Sequence, residues 1–463
     1  MANLFGISVN LLNQVVLVPL YLTYWSVDRY GDWIVLNALA SLTILIALGI
    51  NAAVQNTFTQ AYAQGNRHDC NSLLTANGFF ILLFFILIAG GLLLLSSYIP
   101  LSRWLSLGCI PDGESRRVLF WLVTQSFIGM LMDVPDSIFR AVHRYHEVTV
   151  MDHLSRLVTV GIIAVSLISD LSMPLMAALM GIPYLINAIV KTLRSTAIFR
   201  FRPTAAGLHL ATMRTILVNG AGQMTFLMCY SAVLHGTTMI VNAYFGASLV
   251  VVFTVTRTMC NFVKIFVNLV LNSVWPEFAI AYSRRDVAQM RTLYRQATLT
   301  AFSVALILSL LLLTLGPTIY RIWTASAVTF SYPLMAAFLV TLLVNSLWYS
   351  GSVTLLATNL HLRFSLLNLL LTALYLLTAY LLSTHLPTFL STHLPSLLTT
   401  HLPSLLATTL PGVSFSLPMS SSILSGASSS LITLSAIVLS TLIIDLPLLL
   451  YVRTSTTRLL NHI

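Results

Sequence analysis

Long runs of apolar residues, separated by short polar connections, follow one another along the whole chain. A helix needs about 20 mainly apolar residues to cross a bilayer. Because the runs are continuously apolar and lack the alternation of barrel strands, they predict spanning helices. The runs lie at approximately 5–25, 33–51, 75–98, 118–138, 148–169, 172–192, 215–236, 238–259, 261–281, 298–319, 331–351, 362–383 and 430–451.

Two of these runs, 238–259 and 261–281, follow each other almost without a polar connection. We interpret them together as one long, tilted or broken helix from about 245 to 272, preceded by a helix over 215–240. The chain then has about twelve spanning helices. This pattern predicts an all-α polytopic membrane protein.

The two halves of the chain resemble each other at an offset of 220 residues. At this offset, residues 23–33 align with 243–253 and residues 61–73 align with 281–293 without a gap. In both halves a polar, amphipathic stretch follows a spanning run on the same side of the membrane. A parallel repeat of this kind places two lobes around a central site. We therefore expect two six-helix lobes related by a parallel pseudo-repeat.

The repeat also predicts the domain organisation. The first lobe would occupy 1–198, a basic cytoplasmic linker 199–214, and the second lobe 215–463. Within the second lobe, residues 382–420 form eight-residue repeats with a proline at every eighth position. Because a proline inside a helix costs about 3 kcal/mol, we expect a low-complexity insertion on the outer side and not a spanning helix. Its histidines are not expected to bind a metal.

The composition excludes most soluble functions. Hydrophobic residues make up 57% of the chain and charged residues 8%, whereas about a quarter of the residues in soluble domains are charged. A soluble fold with so few charges would not stay dispersed. A cytosolic enzyme, a nucleic-acid partner and a secreted disulfide scaffold are therefore excluded, and no cofactor is expected. The four cysteines fit neither a metal pattern nor a disulfide pattern.

The positive charges indicate the orientation of the chain. The net charge is +10, from 23 Lys and Arg against 13 Asp and Glu. With the amino terminus in the cytoplasm, 15 of the 23 basic residues, Lys191 among them, fall in inner connections and five in outer connections. Cytoplasmic connections are rich in Lys and Arg. We therefore expect a multi-pass protein of the cell inner membrane with both termini in the cytoplasm.

Several short segments occur in a characteristic order along the chain. They include residues 30–33, 61–66, 240–253, 275–286 and 356–361. In their order and spacing they resemble the Wzx-type O-antigen and polysaccharide flippases of the multidrug/oligosaccharidyl-lipid/polysaccharide (MOP) exporter superfamily. The resemblance covers most of the chain, and the eight-residue repeats and the very short amino terminus depart from it.

This resemblance implies a two-lobed transporter of twelve helices that is not an enzyme. Its cargo would be a short glycan joined through pyrophosphate to a polyprenyl lipid, moved from the cytoplasmic to the outer leaflet by alternating access. Membrane lipids, a polysaccharide polymerase and glycosyltransferases would be its partners. Two alternatives stay open: a multidrug or cation antiporter of the same superfamily, and a membrane glycosyltransferase or polymerase.

Two cations within the predicted long helix are the best candidates for binding the headgroup. Arg257 and Lys264 are seven residues apart and share a helix face, with Asn261 between them. An ionisable residue inside a span costs at least about 2.5 kcal/mol and is a functional candidate. Guanidinium and ammonium groups bind phosphate oxygens. We expect these residues to line a hydrated cavity between the lobes, unless both side chains extend to the interface.

Acidic residues of the first lobe are candidates for coupling transport to an ion gradient. Asp133 lies near the end of one predicted span, and Asp152 and His153 lie at the start of the next. Asp152 and Arg156 are four residues apart, a spacing that also suits a structural ion pair. Both interpretations of this group stay open.

Four further polar residues are candidates for contacts with the headgroup. Asn13 and Gln14 in the first span would bind sugar hydroxyls, although hydrogen bonds between helices explain them equally well. Arg140 and Arg144 belong to a basic inner connection. They would receive the pyrophosphate or contact anionic lipid headgroups.

Overall fold

The computed structural model of this protein describes most of the chain. The described residues are 9, 15–42, 45–201, 214, 225, 228–283, 286–357, 362–396 and 426–462. Every regular element within these residues is a helix, which confirms the predicted fold class. Most of the predicted linker, at 202–213, lies outside them.

The first lobe is built from nine described helices. They are α1 Val15–Tyr24, α2 Val27–Leu42, α3 Leu45–Ala63, α4 Arg67–Tyr98, α5 Leu101–Trp104, α6 Asp112–Met132, α7 Asp136–Ala141, α8 Tyr145–Ile168 and α9 Met173–Ile198. Helices α6 and α7 follow each other within one apolar stretch, Asp112–Ala141.

The second lobe is built from seven described helices. They are α10 at 228–245, α11 at 247–283, α12 Val287–Trp323, α13 Tyr332–Ala357, α14 Leu362–Ser396, α15 Gly426–Leu439 and α16 Leu442–His462. Helices α15 and α16 share one apolar stretch, Ser430–Thr456.

The number of membrane passes agrees with the apolar runs. Among the described residues, nine helical stretches are long and apolar enough to cross a bilayer. One of them, Met228–Leu271, contains the turn between α10 and α11 and therefore makes two passes. The predicted runs 5–25 and 33–51 fall at α1 and at the pair α2 and α3, which are not among these nine stretches. The described residues thus account for ten of the about twelve predicted passes, four in the first lobe and six in the second.

The predicted long helix around 245–272 is the second arm of a helical hairpin. Gly246 adopts φ 81° and ψ 173° between two helical segments, a backbone conformation that is essentially restricted to glycine. Past this turn, Arg257 Nη1 donates a hydrogen bond of 2.9 Å to the carbonyl of Leu234, 23 residues earlier. Because such a bond requires the two arms to lie side by side, α10 and α11 are antiparallel neighbours joined at Gly246.

The 220-residue repeat extends to the helix boundaries. Helices α2, α4 and α6 begin at residues 27, 67 and 112, and helices α11, α12 and α13 begin at 247, 287 and 332. Ser106, after α5, has a φ of 50°, and Ser326, after α12, has a φ of 61°. Since equivalent helices enter from the same side, the two lobes are related by a parallel repeat.

The lobes contact each other where α2 meets the beginning of α11, at one end of the bundle that we name the closed end. Ser248 Oγ donates a hydrogen bond to Asp28 Oδ1 across this contact. Gly31 lies so close to the backbone of Ala247 that a Cβ atom would overlap its carbonyl. Asp28 and Ser248 are 220 residues apart. Equivalent positions of the two repeats therefore meet at the closed end.

The connection between α5 and α6 completes the closed end. The Asp32 carboxylate, which is fully buried, accepts backbone hydrogen bonds of 2.8–3.1 Å from residues 108–110. Asn242 Nδ2 of the second lobe donates to the carbonyl of Leu105 in the same connection. This connection of the first lobe is thus held both by its own lobe and by the other lobe.

At the opposite end, which we name the open end, each lobe has its own core. In the first lobe, Phe58, Leu74 and Ile138 belong to a buried cluster on α3, α4 and α7. In the second lobe, Phe278 and Met290 belong to a separate buried cluster on α11 and α12. The largest buried cluster, by contrast, includes residues of both lobes. The described buried residues of the open end thus form separate clusters in the two lobes, whereas the first-lobe members of the shared core belong to other parts of the lobe.

Helix α14 extends into the predicted insertion. The eight-residue repeats begin at residue 382, and α14 stays helical to Ser396, past two of the repeat prolines. Thr384 Oγ1 and Thr388 Oγ1 donate hydrogen bonds to carbonyls one turn earlier. Hydroxyl groups of this kind help membrane helices to accommodate proline. The first part of the insertion thus continues α14 as a helix, while the apolar stretch suited to cross the membrane ends at Phe389. The remainder of the insertion, 397–420, lies outside the described residues.

Candidate substrate cavity

A cavity of about 380 Å³ lies inside the second lobe, and we name it the lobe cavity. Its volume falls within the range of about 300–1,000 Å³ that is usual for small-molecule sites. The sequence predicted a cavity between the lobes, whereas the residues that line this one all belong to the second lobe. The polar lining residues are Tyr230, Thr237, Arg257, Asn261, Lys264, Asn268, Thr341, Asn345, Trp348, Tyr349, Asn368, Thr372, Tyr375, Thr441 and Asp445.

One face of α11 contributes four polar residues to the lining. Arg257, Asn261, Lys264 and Asn268 are spaced by four, three and four residues, which places them on the same side of a helix. All four line the lobe cavity. The structure thus brings the three predicted α11 residues, Arg257, Asn261 and Lys264, together at one site.

Arg257 is held in place by α10. Its Nη1 donates to the carbonyl of Leu234 at 2.9 Å, and its Nη2 donates to Thr238 Oγ1 at 3.1 Å. The guanidinium carbon lies 5.2 Å from the ring centre of Phe253. Leu234 belongs to a π-helical turn, Ala232–Gly236, a distortion that is frequent at functional sites. Because arginine has five N–H donors, these two bonds fix the side chain and leave donors for a ligand.

Lys264 is the second cation of the lining. Its ammonium lies 4.9 Å from the ring centre of Tyr230, an attractive cation–π geometry. Among the described residues, no carboxylate lies within 4 Å of it. The Asp445 carboxylate of the same lining is within electrostatic range of this ammonium but forms no ion pair with it, and an ammonium without an ion-pair partner is costly in a membrane-spanning helix. Its three N–H donors are therefore well suited to an anionic ligand.

A carboxylate from α16 belongs to the same lining. Asp445 is 6% exposed. Its Oδ1 accepts hydrogen bonds from Trp348 Nε1 at 2.7 Å and from Asn345 Nδ2 at 3.4 Å, both on α13. The charged lining residues are thus two cations and one anion. The lobe cavity is cationic, and its charges act in surroundings of low dielectric constant, where electrostatic attraction is strong.

A second group of charges lies in the first lobe, centred on Lys191. Its ammonium is fully buried and lies 2.9 Å from Asp136 Oδ1 and 2.8 Å from Asp152 Oδ1. Asn187 Nδ2 donates a further hydrogen bond of 2.9 Å to Asp152 Oδ1. The sequence placed Lys191 in an inner connection. This placement was wrong, because α9 continues to Ile198 and keeps Lys191 inside the helix.

The predicted coupling residues surround this charged group. Asp152 is part of it, and Asp133, at the end of α6, is within electrostatic range of Lys191. His153 follows Asp152 on α8 and is partly buried. The structure therefore places these three residues in the first lobe, whereas the lobe cavity belongs to the second lobe.

Arg140 and Arg144 lie at the open end of the first lobe and do not belong to the lining of the lobe cavity. Arg144 Nε donates to Glu147 Oε1 at 2.6 Å, and Arg194 approaches Glu147 Oε2 at 3.4 Å. The Arg140 guanidinium carbon lies 4.9 Å from the ring centre of Tyr145. These residues form a basic surface on the first lobe.

Sequence reasoning missed part of the lining. Asp445 lies within the predicted span 430–451, so the criterion that identified Arg257, a charge inside a span, would also have identified this residue. Asn345 and Trp348 carry no charge and belong to no motif, so no sequence signal could have found them. The predicted ligands Asn13 and Gln14 lie outside the described residues.

No protein-family model matches the chain, and no curated protein matches it at a significant level. Solved structures do match it. An inward-facing multidrug resistance MATE family transporter of the MOP superfamily superposes with a TM-score of 0.65 at 13% identity, over 98% of this chain and 95% of that chain. The chain has the fold of MOP superfamily transporters. The resemblance inferred from the short segments is thus confirmed at the level of the fold.

Two further solved structures show how widely this fold is used. The lipid II flippase MurJ, in an inward closed conformation, superposes with a TM-score of 0.64 at 12% identity, over 99% of this chain and 90% of that chain. A MOP superfamily transporter from Pyrococcus furiosus superposes with a TM-score of 0.55 at 14% identity, over 98% and 93% of the two chains. A reverse polarity of its binding pocket suggests a different function for that transporter. One fold therefore accommodates different cargoes.

Proposed function

We propose that this protein is a flippase for a polyprenyl-pyrophosphate-linked oligosaccharide. It would move a repeat unit of O-antigen, capsule or exopolysaccharide from the cytoplasmic to the outer leaflet of the inner membrane. The observation that carries the proposal is the pair of cations Arg257 and Lys264 in the lobe cavity, neither of which has a carboxylate within 4 Å among the described residues. A pyrophosphate must cross about 30 Å of hydrocarbon, and fixed cations offset the loss of its hydration.

The competing function is a multidrug antiporter, because the fold also matches MATE transporters. The charged lining of the lobe cavity argues against a cationic drug. Arg257 and Lys264 outnumber Asp445, and like charges repel strongly where the dielectric constant is low. The similar TM-score to a lipid II flippase, 0.64, supports a lipid-linked cargo on this fold. Because the matching structures are transporters and flippases, they favour transport over a glycosyltransferase or polymerase activity.

The charge distribution supports an orientation for the chain. Basic residues of the connections and helix ends are frequent at the open end, and they include Arg67, Arg140, Arg144, Arg194 and Arg291. Because Lys and Arg are enriched on the cytoplasmic side, the open end would face the cytoplasm and both termini would lie there. The structure would then be inward-facing. The TM-scores of 0.65 to an inward-facing and 0.58 to an outward-facing MATE structure agree with this assignment.

The remaining predicted residues have roles in the same proposal. Arg140 and Arg144, on the basic surface of the open end, would attract the anionic cargo and anionic lipid headgroups before transport. Asp133, Asp152 and His153 would couple transport to an ion gradient. A polysaccharide polymerase and glycosyltransferases would act on the same lipid-linked glycan on either side of this step.

The proposal can be tested in proteoliposomes that contain the purified protein. The probe is undecaprenyl-pyrophosphate-linked N-acetylglucosamine with a fluorophore on the sugar, and movement between leaflets is measured by dithionite quenching. We expect Lys264→Met to slow transport at least about tenfold, because it removes the free ammonium and keeps the length of the side chain. Lys264→Arg keeps the charge and should remain active.

A matched control is Arg321→Gln, which removes an exposed cation of α12 outside the lobe cavity. This variant should transport at the wild-type rate. Equal rates for the wild type and Lys264→Met would contradict the proposal. A wild-type protein that moves the cationic dye ethidium and leaves the lipid in place would establish the antiporter instead.

A further inference from the structure

The lobe cavity contains acceptors that a pyrophosphate cannot use. Asn268 Oδ1 is buried and accepts no hydrogen bond from any described residue. Asp445 Oδ1 accepts from Trp348 and Asn345, and no described residue donates to its Oδ2. A buried acceptor without a donor destabilises a protein unless a ligand supplies the donor. A pyrophosphate is itself an acceptor of hydrogen bonds, so it cannot satisfy these atoms.

The position of Asp445 is fixed before any ligand binds. Its Oδ1 is held by the indole N–H of Trp348 at 2.7 Å and by the amide of Asn345 at 3.4 Å. Trp348 and Asp445 are each 6% exposed, so packing limits their movement. A carboxylate held in this way presents its second oxygen in a defined direction, which favours selective binding of a donor group.

The chemistry of the lining favours sugar hydroxyls as the donors. Each hydroxyl donates one hydrogen bond and also accepts, so two hydroxyls of one sugar can donate to Asp445 Oδ2 and Asn268 Oδ1 and can accept from an amide such as that of Asn368, which lines the same cavity. A metal cation would also satisfy the two acceptors. Arg257 and Lys264 in the same lining oppose it electrostatically, and the described residues contain no group of three or more acidic, His or Cys side chains suited to a metal.

The size of the cavity restricts which part of the cargo can enter. Its volume is about 380 Å³, close to the lower end of the range for small-molecule sites. A cavity of this size suits a pyrophosphate with one sugar, and the remaining sugars of an oligosaccharide would extend out of it. The sugar that is directly bonded to the pyrophosphate would therefore lie next to the cations.

We propose that Asp445, Asn345, Asn268 and Asn368 form a subsite for the first sugar of the cargo, beside the cationic subsite of Arg257 and Lys264. This subsite rests on the proposed flippase function. It makes the second lobe selective for the sugar attached to the pyrophosphate, whereas the cations recognise any prenyl pyrophosphate. Sugars further along the glycan would lie outside the lobe cavity and would not be selected by it.

The test compares binding of lipids with and without a sugar by the purified protein in nanodiscs. The probes are undecaprenyl pyrophosphate and the same lipid linked to glucose, galactose or N-acetylglucosamine. For at least one sugar, we expect the wild type to bind the glycosylated lipid about tenfold more tightly than the bare lipid. Asp445→Asn keeps the Oδ1 acceptor for Trp348 and removes the charge, and it should abolish this preference; binding of the bare lipid should not weaken, because the variant removes a negative charge from the lining.

Two further variants separate this subsite from the proposed function. Lys264→Met should weaken binding of both lipids by the same factor. Asp170→Asn is an acid-to-amide change in an exposed connection of the first lobe. This variant should bind both lipids with the wild-type affinity. A sugar preference that persists in Asp445→Asn, or that is absent in the wild type, overturns the subsite and leaves the flippase proposal intact. Failure of the wild type to bind either lipid contradicts the flippase proposal itself.

The same titrations, repeated with and without Na⁺, test the competing occupant of the site. One outcome would make Asp445 a cation ligand and overturn the sugar subsite. In that outcome, lipid binding depends on Na⁺ in the wild type and not in Asp445→Asn, and the variant keeps the sugar preference of the wild type. The sugar subsite is supported if the wild type binds the lipid equally with and without Na⁺ and Asp445→Asn loses the sugar preference. Thermal unfolding of each variant checks that Asn345 and Trp348 keep their packing.

Discussion

Lys191 and Lys264 are both lysines on membrane-spanning helices, but their surroundings give them different roles. Lys191 is fully buried between Asp136 and Asp152 and is surrounded by its own counter-ions. Lys264 contacts the ring of Tyr230 and lines a cavity. A buried charge with its partners maintains the fold, because removing one member leaves the others uncompensated. An ammonium without a carboxylate partner can instead bind a ligand.

Lys191→Met should therefore lower the stability of the protein. The molecules that remain folded should still transport. Breaking a buried ion pair from one side costs about 3–5 kcal/mol, so the midpoint of thermal unfolding in detergent should fall clearly. The triple variant that adds Asp136→Asn and Asp152→Asn should recover much of this loss, because no buried charge remains unpaired. Arg194→Met, at an exposed ion pair with Glu147, should have little effect. An unchanged midpoint for Lys191→Met would show that the pair is not a structural element.

At the residue scale, the sequence identifies charges but not their partners. The run of apolar residues around Arg257 and Lys264 makes their position within a span visible, and their spacing predicts a common helix face. Lys191 was counted with an inner connection because it lies at the very end of the predicted span, 172–192, whereas α9 continues to Ile198. Contacts such as Trp348 with Asp445 join residues 97 positions apart, and no local pattern predicts them.

At the scale of elements, the hairpin of α10 and α11 positions the cations. Gly246 turns the chain within a single residue, so the two arms lie directly side by side. This proximity allows Arg257 to reach the carbonyl of Leu234. A longer connection would permit the arms to slide relative to each other. The turn at the closed end thus determines the position of a side chain about three helical turns away.

Gly246→Ala should disturb this arrangement. A Cβ atom is strained at a φ of 81°, and an unfavourable backbone conformation of this kind costs about 1–3 kcal/mol. We expect a lower unfolding midpoint and slower transport in the dithionite assay. The control is Gly161→Ala on α8, where a Cβ atom would meet nothing within 4 Å and alanine favours the helix. Equal stability of the two variants would contradict a requirement for glycine at the turn.

The elements also show why helix positions were easier to predict than helix ends. Apolar runs locate the passes, because hydrophobicity over about 20 residues is a strong signal. The ends depend on local chemistry. The apolar run before the repeats predicted a span that ends at 383, and α14 continues to Ser396, with the Thr384 and Thr388 hydroxyls bonded to carbonyls one turn earlier.

At the scale of the whole molecule, the two lobes have the same architecture and different chemistry. At the 220-residue offset, Asn37 corresponds to Arg257 and Ile44 corresponds to Lys264, so the cations belong to the second lobe alone. The buried ion pairs of Lys191 belong to the first lobe. The repeat was visible in the sequence as a few matching segments, and the helix starts of the structure support it much more strongly. Where the lobes touch could not be predicted, because no motif marks Gly31 or Ala247.

Alternating access requires the closed end to separate. In a Cys109→Ser background, we expect a short bifunctional thiosulfonate to link Asp28→Cys with Ser248→Cys, whose native side chains share a hydrogen bond. The linked protein should lose transport in the dithionite assay and regain it after reduction. The Asp28→Cys variant alone, treated with the same reagent, should stay active. Full activity of the linked protein would show that the closed end does not have to open.

The contact between Asp28 and Ser248 also bears on the origin of the chain. In an ancestral dimer of two identical six-helix proteins, each residue near the symmetry axis would face its own copy. Two aspartates at this position would repel each other, and two serines would bind weakly. When both copies belong to one chain, the two positions can differ, and here a donor faces an acceptor. The same freedom lets one half carry cations that a symmetric dimer would have to carry twice.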